Sequence, residues 1–247
     1  MTPAREIAEP LARMCVPPPV GPGACRWCHR WPTLDDDLCL TCRQTSSQVS
    51  QPCPLVVPIS LYEIPSPLHH LLKGYKARHR PGGRRELECR VGAMLGYFLF
   101  RHAACIAARA GPWDVVTTVP SSGLRAGTHP LVSAVRRVST LGGQHEELLE
   151  RGPAGAAHNR AGDDAFRVRS SRGGERILLL DDTFTTGARL QSAASALNRA
   201  GGRVVAAVVI GRVINPGWSA ATRLGWEEQL RQHFSFESCC LGTRGHS

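Results

Sequence analysis

The feature that most constrains the fold is a strand, helix and strand pattern in the last third of the chain. Apolar runs predict strands over 176–180 and 203–210, and a helical period predicts a helix over 188–200. Gly201 and Gly202 supply the turn after that helix. Two strands joined through a helix form a βαβ unit, whose strands lie parallel in one sheet.

Weaker patterns extend this unit to a complete domain. The segment 114–119 is a β-branched run that ends at Pro120, which predicts another buried strand. Helices are predicted over 67–75, 86–110, 131–138 and 218–234, a short strand over 165–168, and mostly loop over 140–164. The expected fold class is α/β, with a parallel sheet flanked by helices and a small cysteine unit in front of it.

Five segments are expected along the chain. Residues 1–24 are proline-rich without periodicity, which predicts a disordered segment. A polar, proline-rich stretch over 46–58 predicts a linker. The predicted order is a disordered segment over 1–24, a cysteine unit over 25–45, the linker over 46–58, the α/β domain over 59–235 and a flexible tail over 236–247.

Composition narrows the cellular setting and the partners. The net charge of +10 comes almost wholly from arginine and suits nucleic acid or phosphorylated small molecules, although a GC-rich genome also favours arginine. The apolar run over 93–108 is broken by Arg101 and His102, which predicts a buried helix and no membrane span. No secretion signal is recognised, so a cytoplasmic location is expected, with the ten cysteines as metal ligands or buried thiols.

Two C-x2-C pairs predict a metal site. Cys25 and Cys28 form one pair, Cys39 and Cys42 the other, and ten residues separate them. Each short turn presents two sulfurs to one ion, which suits tetrahedral Zn²⁺ in a ribbon of two knuckles. A redox-active C-x-x-C is the alternative. The flanking thiols, Cys15 and Cys53, could be spare ligands, whereas Cys89, Cys105, Cys239 and Cys240 are interpreted as core thiols.

The turn after the strand over 176–180 predicts a sugar-phosphate site. Asp181 and Asp182 can accept hydrogen bonds from the vicinal hydroxyls of a ribose, or help to hold Mg²⁺. The following Thr185-Thr186-Gly187 segment offers N–H groups and a helix N-terminus, which suit a phosphate. The alternative is an acidic turn that only caps a helix. Neither a G-x-G-x-x-G after a strand nor a Walker motif occurs.

The run Leu-Leu-Asp-Asp-Thr-Phe-Thr-Thr-Gly-Ala over 179–188 resembles the binding motif for 5-phosphoribosyl 1-pyrophosphate (PRPP) in type I phosphoribosyltransferases. The resemblance implies a catalytic role for Asp181 and Asp182, which would bind the ribose hydroxyls. It also implies a 5′-phosphate loop formed by Thr183, Thr185, Thr186, Gly187, Ala188 and Arg189. Arg189 stands where that family usually has Thr or Ser, and its guanidinium could replace the hydroxyl contact by folding back.

With the cysteine pairs in front, the chain resembles the ComF family of competence-associated proteins. The likeness includes Leu-Leu-Lys-Gly-Tyr-Lys over 71–76, Asp-Val-Val-Thr-Thr-Val-Pro over 114–120 and Ala-Phe-Arg-Val over 165–168. It implies a type I phosphoribosyltransferase-like sheet over 59–235 behind a small N-terminal zinc ribbon. It also implies Mg²⁺-dependent transfer of phosphoribosyl from PRPP to a nitrogen nucleophile, with release of pyrophosphate. Candidates for contacts to the pyrophosphate are Ser121, Ser122, Arg125, Lys73 and Lys76. The alternatives are serines that cap a helix and cations that are solvated at the surface.

A binding module without catalysis is the competing hypothesis. It would sense PRPP or a nucleotide and act through its zinc ribbon in DNA uptake or on single-stranded DNA. Cations and aromatics that could contact bases surround the ribbon, namely Arg26, Trp27, Arg30, Trp31 and Arg43. The alternative for the two tryptophans is packing against the knuckles. The acceptor and the oligomeric state are left open.

Overall fold

The structure is a computed structural model that describes residues 3–21, 23–31, 38–77, 81–121, 129–153 and 159–242. The helices are α1 (Pro3–Ala8), α2 (Leu40–Ser46), α3 (Pro67–Gly74), α4 (Pro81–Ala110), α5 (Pro130–Arg136), α6 (Ser139–Gly142), α7 (Ala188–Arg199) and α8 (Ala220–Gln229), with short 3-10 helices over Glu9–Met14 and Pro216–Trp218. The strands are β1 (Val56–Tyr62), β2 (Val115–Thr118), β3 (Leu149–Arg151), β4 (Phe166–Val168), β5 (Arg176–Phe184) and β6 (Arg203–Val213).

A four-stranded parallel sheet organises the chain. Its strand order is β1-β6-β5-β2, and every neighbouring pair is parallel. The predicted α/β class and the βαβ unit of β5, α7 and β6 are therefore confirmed. Strand β5 continues four residues beyond the predicted end at Leu180, so that Asp181 and Asp182 lie within the strand itself. β3 and β4 form a separate antiparallel pair, and β3 falls where mostly loop was predicted.

Apolar side chains cover both faces of the sheet. One core cluster joins the sheet to α3, α4 and α5, and the other joins it to α7 and to the four cysteines of the two C-x2-C pairs. By length and composition the Gly83–Ala110 part of α4 could cross a membrane, but 67% of its most apolar 18-residue stretch is buried inside the protein. A core helix meets the same criteria, so α4 is weak evidence for a span.

Both chain ends differ from the expectation of disorder. Helix α1 and the 3-10 helix after it pack on the main core, where Ala8 and Leu11 are buried. At the other end, the predicted flexible tail contributes Phe236, Cys239 and Cys240 to the same core. These short segments have no clear helical or strand period in the sequence. Their structure therefore comes from contacts with α4 and its neighbours.

The predicted linker over 46–58 is also part of the folded domain. Strand β1 begins inside it at Val56, and the backbone N–H of Cys53 donates to the side chain of Gln191 on α7 at 2.7 Å. The backbone N–H of Gln51 donates to Ser195 Oγ of the same helix at 3.1 Å. The segment therefore docks the cysteine unit on α7 and does not separate two bodies.

Candidate functional site

The two adjacent carboxylates lie at the carboxyl end of β5 and are buried. Asp181 is 3% exposed and Asp182 is 2% exposed. The Lys76 ammonium lies 2.8 Å from both carboxylate oxygens of Asp182, and the Tyr75 hydroxyl donates to one of them. Asp181 accepts a hydrogen bond from the backbone N–H of Asp182 at 2.9 Å. The residues just after α3 thus cover the end of the central strand.

The two carboxyl groups differ in protonation. Burial raises the pKa of Asp181 to about 6, and the nearby Arg189 guanidinium opposes that rise. Burial acts on Asp182 as well, but the Lys76 charge and the hydrogen bonds from Lys76 and Tyr75 hold its pKa below the ordinary value. At neutral pH Asp182 is therefore the firmly ionised member of the pair.

The loop that follows β5 has a conformation that only glycine fits well. Gly187 has φ of +83°, in the left-handed region, and directly precedes α7. A Cβ at this position would collide with the ring of Phe184. Thr185 is exposed and Thr186 half-buried, and the Ala188 N–H donates to Thr186 Oγ1 at 3.4 Å. Backbone donors at the N-terminus of a 12-residue helix suit an anion.

Arg189, the second residue of α7, reaches toward the neighbouring strand β2. Its guanidinium donates to the carbonyl of Pro120 at 2.5 Å, at the end of the neighbouring strand β2. Its positive charge favours the ionised form of both aspartates, although the pKa of Asp181 remains raised by burial. The side chain therefore joins the ends of β5 and β2.

Candidates for the pyrophosphate contact divide into three groups. Ser121 follows Pro120 directly and is half-buried, whereas Ser122 and Arg125 lie outside the described residues. Lys76 is the ionic partner of Asp182, as described above. Lys73 and Lys76 line an open cleft of about 440 Å³ together with Thr183 and Thr185. Asp181 and Asp182 do not line this cleft.

The four cysteines of the two pairs form one buried cluster. Their Sγ atoms all lie within 4.8 Å of one another, and each residue is at most 4% exposed. Cys28 Sγ lies 3.7 Å from Cys39 Sγ. Two thiolates bound to one tetrahedral zinc at about 2.3 Å would be ~3.8 Å apart. The arrangement therefore fits a structural Zn²⁺.

Two different local structures hold these thiols. Cys25 and Cys28 lie in a tight turn in which the His29 N–H donates to the Cys25 carbonyl at 2.8 Å. Cys39 is the N-cap of α2 and Cys42 lies in its first turn, so the helix dipole favours thiolates there. Hydrogen bonds from the other three thiols lower the pKa of Cys25. The second pair is thus presented by a helix start and not by a second knuckle.

The two spare cysteines are not ligands of this cluster. Cys53 Sγ donates to the Leu55 carbonyl at 3.1 Å, and Cys15 Sγ donates to the Leu11 carbonyl at 3.4 Å. Burial raises the pKa of each thiol to about 12. Both therefore remain protonated core residues.

A buried arginine connects the cysteine cluster to the loop after β5. Arg212, near the end of β6, is 3% exposed and donates to the Thr185 carbonyl at 2.7 Å. Its other terminal nitrogen lies 3.8 Å from Cys28 Sγ. Thr45 of α2 also donates to the Thr186 carbonyl at 3.2 Å. Arg212 and Tyr75 were not among the predicted site residues. The available signal for Arg212 was an arginine near the end of an otherwise apolar strand.

The tryptophans near the cluster are structural. Trp27 is buried and donates to the Pro54 carbonyl at 3.1 Å, and Trp31 packs against Gly225 of α8. Arg30 instead lies over the exposed ring of Trp218, 4.9 Å from its centre. Arg30 and Trp218 line a second cleft of about 440 Å³ with Thr185, Thr186 and Arg212.

No protein family model matches this chain, and neither does any curated protein.

Proposed function

We propose that this protein binds PRPP and transfers its phosphoribosyl group to a nitrogen nucleophile, with release of pyrophosphate. The observation that carries the proposal is the end of β5. There two carboxylates precede, by a few residues, a loop whose left-handed Gly187 opens the 12-residue helix α7. A ligand with a ribose and a 5′-phosphate matches both parts at once.

Ribose binding requires a rearrangement around Asp182. Its two oxygens are now held by Lys76 and Tyr75, so sugar hydroxyls would replace those donors. Lys76 is 27% exposed and lines the adjacent cleft, which leaves it room to turn toward a phosphate. In this proposal Lys76 exchanges one anionic partner for another, and Asp181 and Asp182 then hold the ribose.

Catalysis would be mainly electrostatic. As pyrophosphate departs from C1, positive charge develops on the ribose ring. The ionised Asp182 at the end of β5 would stabilise that charge. The charges of Lys76 and Arg189 beside both carboxylates disfavour a Mg²⁺ ion held by the aspartates alone. Mg²⁺ therefore enters the proposal as the partner of the diphosphate and not as a resident ion of the carboxylate pair.

The cysteine cluster supports a ComF-like organisation, with a zinc-binding unit ahead of a phosphoribosyltransferase-like domain. In this proposal the cysteine unit helps to fix the position of the phosphate-binding loop after β5. Thr45 and Arg212 hold the carbonyls of Thr186 and Thr185 from the side of the cluster. With these carbonyls fixed, the N–H groups of the loop can face the phosphate.

Titration of the protein with PRPP and Mg²⁺ tests the binding site. Asp182→Asn retains the shape of the side chain but removes its charge, so we expect affinity to fall at least ~10-fold, which corresponds to about 1.4 kcal/mol. Asp114→Asn is the matched control, because Asp114 is exposed and pairs with Arg176 at the opposite end of the sheet. Equal affinity of Asp182→Asn and the parent protein would refute the ribose site.

Pyrophosphate release separates catalysis from binding alone. The protein would be incubated with PRPP, Mg²⁺ and a panel of bases, amines and ammonia, and pyrophosphate would be measured. Release that depends on one acceptor and is lost in Asp182→Asn supports the transferase. Saturable binding without release for any acceptor supports the second candidate, a PRPP-sensing or nucleotide-sensing module.

The second candidate has one observation in its favour. The cleft between the cysteine cluster and the loop carries Arg30 over the exposed Trp218, a cation–aromatic surface on which a base of single-stranded DNA could stack. Quenching of Trp fluorescence by an oligonucleotide, lost in Trp218→Ala, would support this function. Unchanged fluorescence at low salt would exclude stacking on Trp218.

A further inference from the structure

Three side chains of residue types that can bind metals lie together away from the site already described. His102 and Cys105 lie on α4, and Cys239 lies in the segment after α8. Their ligand atoms are all within 4.8 Å of one another, and Cys105 Sγ is 3.8 Å from His102 Nδ1. All three residues are buried, with His102 fully so.

The hydrogen bond of His102 leaves the correct nitrogen available for a metal. Its Nε2 lies 2.9 Å from the carbonyl oxygen of Phe236. A carbonyl can only accept, so Nε2 carries the proton and Nδ1 presents its lone pair to the two thiols. Metal-binding histidines are commonly oriented in this way, with the second ring nitrogen donating to a backbone carbonyl.

The fold brings the three ligands together by two means. His102 and Cys105 are three residues apart on α4 and therefore share one face of the helix. The chain end reaches that face because Phe236 packs on Tyr97, with ring centres 5.3 Å apart, and Glu237 forms an ion pair with Arg101. Cys239 follows Glu237 by two residues.

We propose that His102, Cys105 and Cys239 form a second metal site for a thiophilic divalent ion, with Zn²⁺ as the best match. One nitrogen and two sulfurs are the ligands that zinc prefers. A nitrogen and a sulfur bound to one tetrahedral zinc would be ~3.6 Å apart, close to the separation in the structure. On binding, both thiols release their protons to solvent, and one coordination position remains for a water molecule.

This site is independent of the proposed PRPP function and of the four-cysteine cluster. It would join the C-terminal segment to α4, so that metal stabilises the chain end against opening. The competing explanation is a core in which the Cys105 thiol only donates to His102 Nδ1. The two explanations differ in metal content.

Metal content of the full-length protein, purified under reducing conditions with Zn²⁺, is the deciding measurement. We expect two equivalents of zinc per chain in the parent protein and one in Cys239→Ser. Cys240→Ser is the matched control and should retain two equivalents, because Cys240 is the adjacent buried thiol but is not part of the three-residue group. A parent protein with one equivalent, or two equivalents in Cys239→Ser, would overturn the proposal.

Cobalt substitution provides a second test with a spectroscopic readout. In Cys42→Ser, which disrupts the four-cysteine cluster, added Co²⁺ should still give thiolate charge-transfer bands. These bands should disappear when His102→Gln is added, although the Gln amide can still donate to the Phe236 carbonyl. Bands of equal intensity with and without His102→Gln would place the bound cobalt elsewhere and refute the site.

Discussion

The ion pair at the end of β5 gives the sharpest prediction. Lys76→Met removes the ammonium that lies 2.8 Å from both oxygens of Asp182, a side chain that is only 2% exposed. Loss of one partner of a fully buried pair costs about 3–5 kcal/mol. Tyr75 still donates to Asp182, and Lys76 itself is 27% exposed. We therefore expect a smaller loss, about 1–3 kcal/mol at pH 7.

Urea unfolding of the zinc-loaded protein measures this loss. With a slope of about 2 kcal/mol per molar urea, a loss of 2 kcal/mol lowers the midpoint by roughly 1 M. Lys73→Met is the matched control, three residues earlier near the end of α3, since Lys73 lines the same cleft but forms no ion pair within the described residues. Its midpoint should stay within a few tenths of a molar of the parent value, ~0.5 kcal/mol.

The charge of Asp182 can be tested separately. In an Asp182→Asn background Lys76→Met should cost little, so the double-mutant cycle should give a coupling of about 1–3 kcal/mol. Because the folded-state pKa of Asp182 lies below its ordinary value, the stabilisation is complete above the unfolded pKa and is lost as pH falls through the folded pKa. An additive cycle, or a Lys76→Met effect no larger than that of Lys73→Met, would refute the reasoning.

Three further perturbations test other parts of the site. Since burial raises the pKa of Asp181 to about 6, ionisation costs stability as pH rises from about 4 to 6. Asp181→Asn should therefore be more stable than the parent by about 1–3 kcal/mol at pH 7.5 but not at pH 4, as measured by urea midpoints; parallel pH curves would contradict this. Gly187→Ala should lower stability by about 1–3 kcal/mol in the same assay, because its φ is +83° and the new methyl group meets Phe184. Arg212→Gln should cost about 2–4 kcal/mol, because the Thr185 carbonyl loses a buried charged donor; amide hydrogen exchange should show faster opening of the loop.

The parts of the fold that could be predicted are those with a local signal. The βαβ unit was readable because two long apolar runs flank a helical period, and the cysteine cluster because its spacing is short and paired. Strand β1 was missed because proline interrupts it at Pro58. Proline is tolerated there because β1 is an edge strand of the sheet, which only the strand order reveals.

The environment of the carboxylates could not be read from the sequence. The Asp182 side chain is held by Lys76, which lies 106 residues earlier in the chain. No local pattern encodes a contact over that separation, so the hydrogen bonds from Tyr75 and Lys76 to Asp182 were not predicted. The same reason explains the chain ends, whose order depends on docking against α4.

The position of Arg212 has a consequence for how this protein can be divided. Its guanidinium lies between the loop after β5 and the sulfur of Cys28. With zinc bound, the thiolates of the cluster would be the negative partner that makes a buried arginine tolerable. A shortened chain that begins at β1 would retain this arginine without that partner and would lose the wall formed by α2. The cysteine unit is therefore part of the minimal folding unit, and the α/β domain cannot be obtained by trimming it away.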